Sequence, residues 1–96
     1  MFKELDPILH NQLRLRIMSV LISVESAEFK YLLGQTESTR GNLSVQLSKL
    51  KEVDYINIKK SFRNNYPLTT CKITKKGIKA FEKYVETIKD YIKKDS

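Results

Sequence analysis

One stretch of the chain decides its fold: residues 39–50 read TRGNLSVQLSKL. Leu43, Leu47 and Leu50 recur at helical spacing and form one apolar stripe, which predicts a helix with a buried face. The opposite face carries small, polar and basic side chains, and Thr39 is a good N-cap residue. We therefore predict a helix over residues 39–53 whose outward face suits insertion into a groove of DNA.

The stretch that follows, residues 55–73, has the character of a β-hairpin. Apolar and polar residues alternate from Ile56 to Lys59, as in a strand with one buried face. A second strand-like run covers residues 68–73, and the polar turn from Arg63 to Pro67 lies between the two. The sequence thus predicts a basic hairpin directly after the groove helix.

Start signals predict the helices that precede this pair. Asp6-Pro7 places a carboxylate at a cap and a proline where its missing N–H is harmless, and Asn11 can cap a longer helix running to about Val24. Residues 26–36 are predicted to form a second helix, with Ser26 as its N-cap. The predicted order of elements is helix, helix, helix, strand, strand, helix, which is mainly α with a small β-hairpin (α+β).

The last helix, predicted over residues 75–93 with Thr74 as its cap, carries a narrow apolar seam. Its large apolar residues are spaced 3, 4, 3 and 4 positions apart, as in a coiled coil, and Tyr84 and Tyr91 widen the seam. The seam packs either on the protomer's own first helix or on a second protomer, and a second protomer would also cover the spare apolar face of the first helix. We prefer a homodimer, with an interface made of Leu15, Met18, Ile22, Ile78, Phe81, Val85, Ile88 and Ile92.

The position of the charge matters more than its total of +7. Residues 1–38 hold four Lys/Arg against five Asp/Glu, whereas residues 39–96 hold fourteen against six, a net charge of +8. A lysine-rich surface that only keeps a small protein soluble would also be basic. The concentration of charge from the groove helix onward favours a polyanion as partner.

Several classes of function are disfavoured by composition. The chain of 96 residues fits one domain. It has no apolar run long enough to cross a bilayer, so no membrane partner is expected. His10 and Cys71 are the only residues of their kinds, so we expect no catalytic arrangement, no metal site and no cofactor. His10 is read as a packed or capping residue and Cys71 as a small apolar side chain in a strand. A lone cysteine also suits a reducing cytoplasm.

In the order and spacing of its motifs, nearly the whole chain resembles the small winged-helix transcriptional regulators related to the MarR group. The resemblance rests on residues 5–11, 39–50, 62–67 and 74–77, together with the Tyr55-Ile56 pair. It implies a winged helix-turn-helix fold, dimerisation through the terminal helices and major-groove reading by the third helix. Relatives usually have Gly at the turn before that helix and just before the hairpin, where this chain has Glu37 and Asp54.

The resemblance also implies which residues contact double-stranded DNA. In the third helix these are Thr39, Arg40, Asn42, Ser44, Val45, Ser48 and Lys49, and in the hairpin, or wing, they are Lys59, Lys60, Arg63, Asn64 and Tyr66.

Two hypotheses of function remain at this stage. The first is a homodimeric, cytoplasmic regulator of transcription that binds a short, roughly palindromic DNA site, and a repressor acting by occlusion is favoured over an activator. The second is a winged-helix module that uses the same surface, or its helical seam, to hold a protein partner. The sequence does not indicate whether a small-molecule effector controls binding.

Overall fold

Residues 2–93 are described by a computed structural model, in which they form four helices and a three-stranded antiparallel sheet. This arrangement confirms the predicted winged-helix fold. The sheet has the strand order β1-β3-β2, so the hairpin of β2 and β3 is joined by a short first strand. The elements in chain order are α1 (Gln12–Val24), β1 (Ser26–Glu28), α2 (Phe29–Thr36), α3 (Arg40–Glu52), β2 (Ile56–Arg63), β3 (Tyr66–Ile73) and α4 (Lys75–Ile92).

Three of the predicted caps hold helix starts. Asn11, Thr39 and Thr74 each adopt an extended backbone conformation, and each side-chain oxygen accepts a hydrogen bond from an N–H of the following turn. These bonds satisfy donors that the first turn of a helix leaves without an intrahelical partner. The predicted limits of α1, α3 and α4 therefore agree with the structure to within a residue or two.

The Asp6-Pro7 signal starts a turn rather than a helix, so that part of the interpretation is wrong. The Asp6 carboxylate accepts the N–H of Ile8 at 2.9 Å, and the Asp6 carbonyl accepts the N–H of His10 at 2.9 Å. The chain then becomes extended at Asn11, with φ −150°, which ends the turn before a helix can continue. A turn and a helix start with the same local hydrogen bonds, so the sequence signal does not distinguish them.

The segment predicted as the start of the second helix is partly a strand. Residues Ser26–Glu28 form β1, whose central Ala27 pairs with Cys71 of β3. Helix α2 begins after Glu28, whose side chain makes no capping bond, so Ser26 is not the cap. Three residues are too few to show an alternating pattern, and this strand exists because the edge of β3 is there to pair with it.

The hairpin turns on two asparagines. Asn64 and Asn65 have φ of 50° and 67°, the left-handed pair that a tight two-residue hairpin turn requires. Pro67, predicted in the turn, belongs to β3 instead, opposite Phe62. There the side of β3 away from β2 is unpaired, because β1 reaches only from Thr70 to Lys72, so the missing N–H of proline is tolerated.

One apolar core lies between the helices and the inner face of the sheet. Leu43, Leu47 and Leu50 of α3 lie in it, as the opening stretch of sequence predicts. Cys71 is also fully buried, and burial raises the pKa of its thiol to about 11, which suits the predicted role of a small apolar side chain. Among residues 2–93, no helix combines the length and apolar character that crossing a membrane would need.

Candidate nucleic-acid interface

Helix α3 turns its leucines inward and leaves its other face open to solvent. The positions predicted to contact DNA on this helix are all exposed, and 51 % of Val45 is accessible although it is apolar. Gly41 also faces open space, because a Cβ built there meets nothing within 4 Å. The outward side of α3 is therefore free to approach a large partner.

The turn that presents α3 is fixed by hydrogen bonds at the end of α2. Glu37 adopts the left-handed conformation, with φ 54° and ψ 42°. The regulators that this chain resembles usually have Gly at this position. The buried hydroxyl of Thr36 donates to the carbonyl of Leu32 at 2.7 Å, and Arg16 of α1 donates to the carbonyl of Thr36 at 3.1 Å. These bonds satisfy the end of α2 and hold the direction in which α3 leaves it.

A groove of about 480 Å³ separates the start of α3 from the start of β3. The guanidinium of Arg40 lies over the ring of Phe29, 5.8 Å from its centre, so the ring supports the cation at the wall of the groove. Sequence reasoning missed this contact. It also missed the remaining lining residues, Glu28, Lys30, Pro67, Leu68 and Thr69, alongside the predicted Ser44.

Alternation along β3 contains a signal for one of these missed residues. Cys71 is buried, so Thr69, two positions before it, lies on the same face of the sheet and points toward α3. Thr69 lines a narrower pocket of about 140 Å³ with Ser48 and Lys60. The structure thus brings Arg40, Ser44, Ser48 and Lys60 together along one groove.

The remaining wing residues do not all share that face. Because side chains alternate along a strand, Lys59 and Arg63 lie on the face of the hairpin opposite to Lys60. Asn64 is in the exposed turn and Tyr66 is 75 % exposed beside it. Arg63 is held by Glu28 of β1 through an ion pair of 2.7 Å, a contact between residues 35 positions apart that the sequence did not indicate.

Most cations of the candidate surface have no acidic partner. Within residues 2–93, the ion pairs are Arg63 with Glu28 and Lys89 with Glu86. Arg40, Lys49 and Lys60 are exposed, and none of them forms an ion pair within this part of the chain. Their charge is available to a polyanion instead of being neutralised by the protein's own carboxylates.

Helix α4 has two apolar faces with different surroundings. One face is covered by the N-terminal segment: the Tyr84 hydroxyl lies 3.0 Å from Nδ1 of His10, and the Tyr91 hydroxyl donates to the carbonyl of Lys3 at 2.7 Å. Tyr84 and Tyr91, predicted to widen the seam, thus contact the N-terminal segment of their own protomer. His10, predicted to be a packed or capping residue, is exposed, and its ring contacts Tyr84.

The other face of α4 carries the predicted seam and is only partly covered. Val85 and Ile88 are half-buried, and Ile92 is 70 % exposed. Val85 lies with Phe81 of the seam and Ile22 of α1 in a shallow groove of about 430 Å³. Ile78, Phe81, Leu15 and Ile22 also pack partly on the protomer's own core.

Met18 does not belong to the predicted dimer interface. Its side chain is fully buried in the core of its own protomer, at 0 % exposure, so it has no surface to offer a second chain. Helical spacing placed Met18 on one stripe with Leu15 and Ile22, but α1 is covered on that part of its face by the rest of the fold.

Comparison with known proteins agrees with this geometry. Residues 13–92 match a family model described as a winged helix DNA-binding domain. An uncharacterised protein of Methanocaldococcus jannaschii, MJ0432, is 37 % identical over 81 residues, which is 84 % of this chain and 88 % of that protein.

Solved structures show the same fold. A transcriptional regulator homologue from Pyrococcus horikoshii superimposes with a TM-score of 0.83 at 27 % identity, covering 88 % of this chain and 84 % of the other. NadR, solved in complex with 4-hydroxyphenylacetate, gives a TM-score of 0.73 at 22 % identity, covering 88 % of this chain and 62 % of the NadR chain. The second likeness concerns the fold alone.

Proposed function

Because the chain belongs to the winged-helix DNA-binding domain family, we propose that it is a sequence-specific regulator of transcription that binds duplex DNA as a homodimer. The observation that carries this proposal is the outward face of α3, which is exposed and bears cations without acidic partners within residues 2–93. A regulator homologue of the same fold supports it.

The residues of α3 have separate roles in this proposal. Arg40, at the wall of the groove, makes either a bidentate contact to guanine or a contact to a phosphate. Val45 is exposed at the centre of the outward face and packs on a thymine methyl group. Thr39, Ser44 and Ser48 donate from small hydroxyls to phosphates or base edges, and Asn42 and Lys49 contact the DNA from the same exposed face of the helix.

The wing extends the contact along the DNA backbone. Lys60 faces the groove beside α3, whereas Lys59 lies on the other face of the hairpin and reaches phosphates on its far side. Asn64 and Tyr66 meet the backbone or the minor groove at the exposed turn. The contribution of Arg63 is reduced because Glu28 neutralises it.

A second protomer covers the seam of α4 in the proposed dimer. The seam then consists of Leu15, Ile22, Ile78, Phe81, Val85, Ile88 and Ile92, without Met18. A two-fold axis between the α4 helices would place the two α3 helices on successive major grooves, with half-sites about one DNA turn apart. Binding at such a site would block other proteins from it, which favours a repressor acting by occlusion.

The salt dependence of binding distinguishes this proposal from the alternative of a protein-interaction module. The affinity for a duplex should fall steeply between low and physiological salt, by roughly one power of the salt concentration for each phosphate neutralised. Fluorescence anisotropy with a labelled duplex measures this directly. An affinity that stays weak and flat over the same range would refute DNA binding and favour a protein partner.

Replacing Arg40 with Ala tests the role of α3 in reading sequence. If Arg40 contacts a base, the substitution should cost about 1–3 kcal/mol on a preferred site and much less on random DNA. Lys83→Ala, which removes the same charge from the exposed surface of α4, serves as the control. An equal loss on both DNAs would make Arg40 a phosphate contact, and no loss on either would remove it from the interface.

Two substitutions test the seam without disturbing the core. Val85 and Ile88 are half-buried but do not pack on the core cluster, so Val85→Glu and Ile88→Glu should give folded monomers. Tyr31→Glu introduces the same charge at an exposed aromatic residue of α2 and should remain a dimer. Sedimentation of the double seam variant as a dimer would show that the interface lies elsewhere.

A further inference from the structure

A chain of hydrogen bonds connects the N-terminal turn to the outward face of α3. The guanidinium of Arg14, on α1, donates to Oε1 of Gln46 on α3 and, through Nε, to the carbonyl of Ile8 at 2.6 Å. Nε2 of Gln46 then donates to Oδ1 of Asn42, one helical turn earlier, at 3.3 Å. Asn42 is exposed, whereas Gln46 and Arg14 are half-buried behind it.

The chemistry of these groups fixes the direction of the chain. An arginine side chain carries donors only, so Gln46 must turn its carbonyl oxygen to Arg14. The only group that Gln46 can then turn toward Asn42 is its NH₂ group, which requires the carbonyl oxygen of Asn42. The orientation of the exposed Asn42 amide is therefore determined by Arg14, which acts on it through Gln46.

We propose that Gln46 is a positioning residue that orients Asn42 to read adenine in the major groove. In the imposed orientation, Oδ1 of Asn42 keeps one lone pair and Nδ2 keeps both of its hydrogens. Adenine presents a donor at N6 and an acceptor at N7, and an asparagine amide pairs with both at once. This inference rests on the proposed function, because it concerns how the same surface selects its site.

Arg14 provides the fixed point of the arrangement. Its guanidinium donates hydrogen bonds to the carbonyl of Ile8 and to Gln46, so the side chain has less rotational freedom than that of an exposed arginine. Gln46 is consequently held before DNA arrives, and Asn42 loses less rotamer freedom on binding than an unsupported side chain. Gln46 itself needs no contact with DNA.

Substitutions at Gln46 separate orientation from simple packing. Gln46→Glu keeps the size of the side chain and its bond to Arg14, but a carboxylate is an acceptor only. It would accept from Nδ2 of Asn42 and reverse the amide, presenting the wrong pattern to adenine. Gln46→Leu keeps similar bulk and removes the bond altogether, whereas Gln35→Glu adds the same charge at an exposed position of α2 as a control.

The experiment begins with selection of bound sites from a random duplex pool by the full-length wild-type protein. Labelled duplexes carrying each single base change are then titrated with wild type, Asn42→Ala and the three glutamine variants. The measured quantity is the preference for adenine over the other bases at the position that responds to Asn42→Ala. A ratio of affinities is used because a uniform effect of added charge on all DNAs cancels in it.

Wild type should prefer adenine at that position by roughly 5- to 150-fold, the range for one good bidentate contact. Asn42→Ala, Gln46→Glu and Gln46→Leu should each lose most of this preference, while Gln35→Glu should keep it. Thermal melting of each variant, compared with wild type, shows whether the fold is retained.

Three results would overturn the inference. The first is an unchanged adenine preference in both Gln46 variants when Asn42→Ala loses it. The second is a wild-type preference at that position for another base, and the third is a lack of any position that responds to Asn42→Ala. All three leave the proposed function standing, whereas a wild-type protein that selects no site from the pool would refute that function itself.

Discussion

Replacing Gly77 with Ala should destabilise the fold, although Ala is the better helix former. Gly77 lies in the first turn of α4, where Thr74 caps the helix by accepting the Gly77 N–H at 2.9 Å. A Cβ built on Gly77 would stand 2.1 Å from the carbonyl oxygen of Tyr55 and 3.1 Å from Cγ1 of Ile73. The helix start is therefore packed directly on the backbone that leads into β2.

The clash cannot be relieved by rotating a side chain. The Tyr55 carbonyl is backbone, and it also accepts the N–H of Thr74 at 3.0 Å, which ties the cap of α4 to the same group. Overpacking typically costs about 1–3 kcal/mol, and a contact this short lies at the upper end of that range. Helix propensity returns at most about 1 kcal/mol, so a net loss of about 2 kcal/mol is expected.

Thermal melting at one fixed protein concentration measures this loss. For a domain of this size, about 2 kcal/mol corresponds to a decrease in Tm of roughly 8–16 °C. Gly34→Ala is the matched control, because a Cβ there meets nothing within 4 Å and the residue is exposed within α2. It should raise Tm by a few degrees. A Gly77→Ala protein that melts at or above the wild-type temperature would refute the proposed close approach.

Three further predictions concern acidic and phenolic groups. Glu28→Gln should raise the affinity for DNA several-fold at low salt, because it frees Arg63; an unchanged affinity would show that Arg63 does not reach the duplex. Glu37→Gly should raise the free energy of unfolding in urea by about 0.5–1 kcal/mol, since Gly adopts the left-handed conformation without strain; an equal gain from Glu37→Gln would assign the effect to charge. Burial, the hydrogen bond to Asp6 and the negative charge of Asp6 raise the pKa of Tyr55 from 10.0 to about 12. The stability that this raised pKa contributes is fully present below pH 10 and is lost as the pH rises toward 12. The free energy of unfolding of wild type should therefore decrease more than that of Tyr55→Phe between pH 9 and pH 11.5. Equal decreases in the two proteins would contradict the assignment.

Features that depend on a few neighbouring residues were predictable from the sequence. The caps Asn11, Thr39 and Thr74 each bond to an N–H three residues further along, so nothing outside one turn is needed to form them. The burial of one face of α3 follows similarly from the spacing of its leucines. The alternation of apolar and polar residues also predicted the hairpin, because its strands are long enough to show that pattern.

Features that depend on residues distant in sequence were not predictable in this way. The strand β1 is defined by pairing with β3, more than 40 positions later, and Glu25 before it has a φ of 69° that no local glycine indicates. The burial of Met18 depends on what packs around α1. The same applies to the candidate interface, where Phe29 supports Arg40 and Glu28 holds Arg63 only after the chain has folded.

The structure also revises how much of the excess charge serves DNA binding. Between residues 40 and 73 there are seven Lys/Arg against two Asp/Glu, and the other seven cations of the basic half lie from Lys75 onward, on α4 and beyond it. With Arg63 paired to Glu28, six unpaired cations per protomer remain between residues 40 and 73, and Lys30 of the groove beside α3 adds a seventh within the described residues. Two protomers would then neutralise at most about fourteen phosphates, which limits the magnitude of the negative slope of log affinity against log salt to roughly 13. The lysines of α4 lie on the helix that carries the proposed dimer seam and are not among the cations counted around α3 and the wing. The net charge of +8 in residues 39–96 therefore overstates the charge that this fold can bring to DNA.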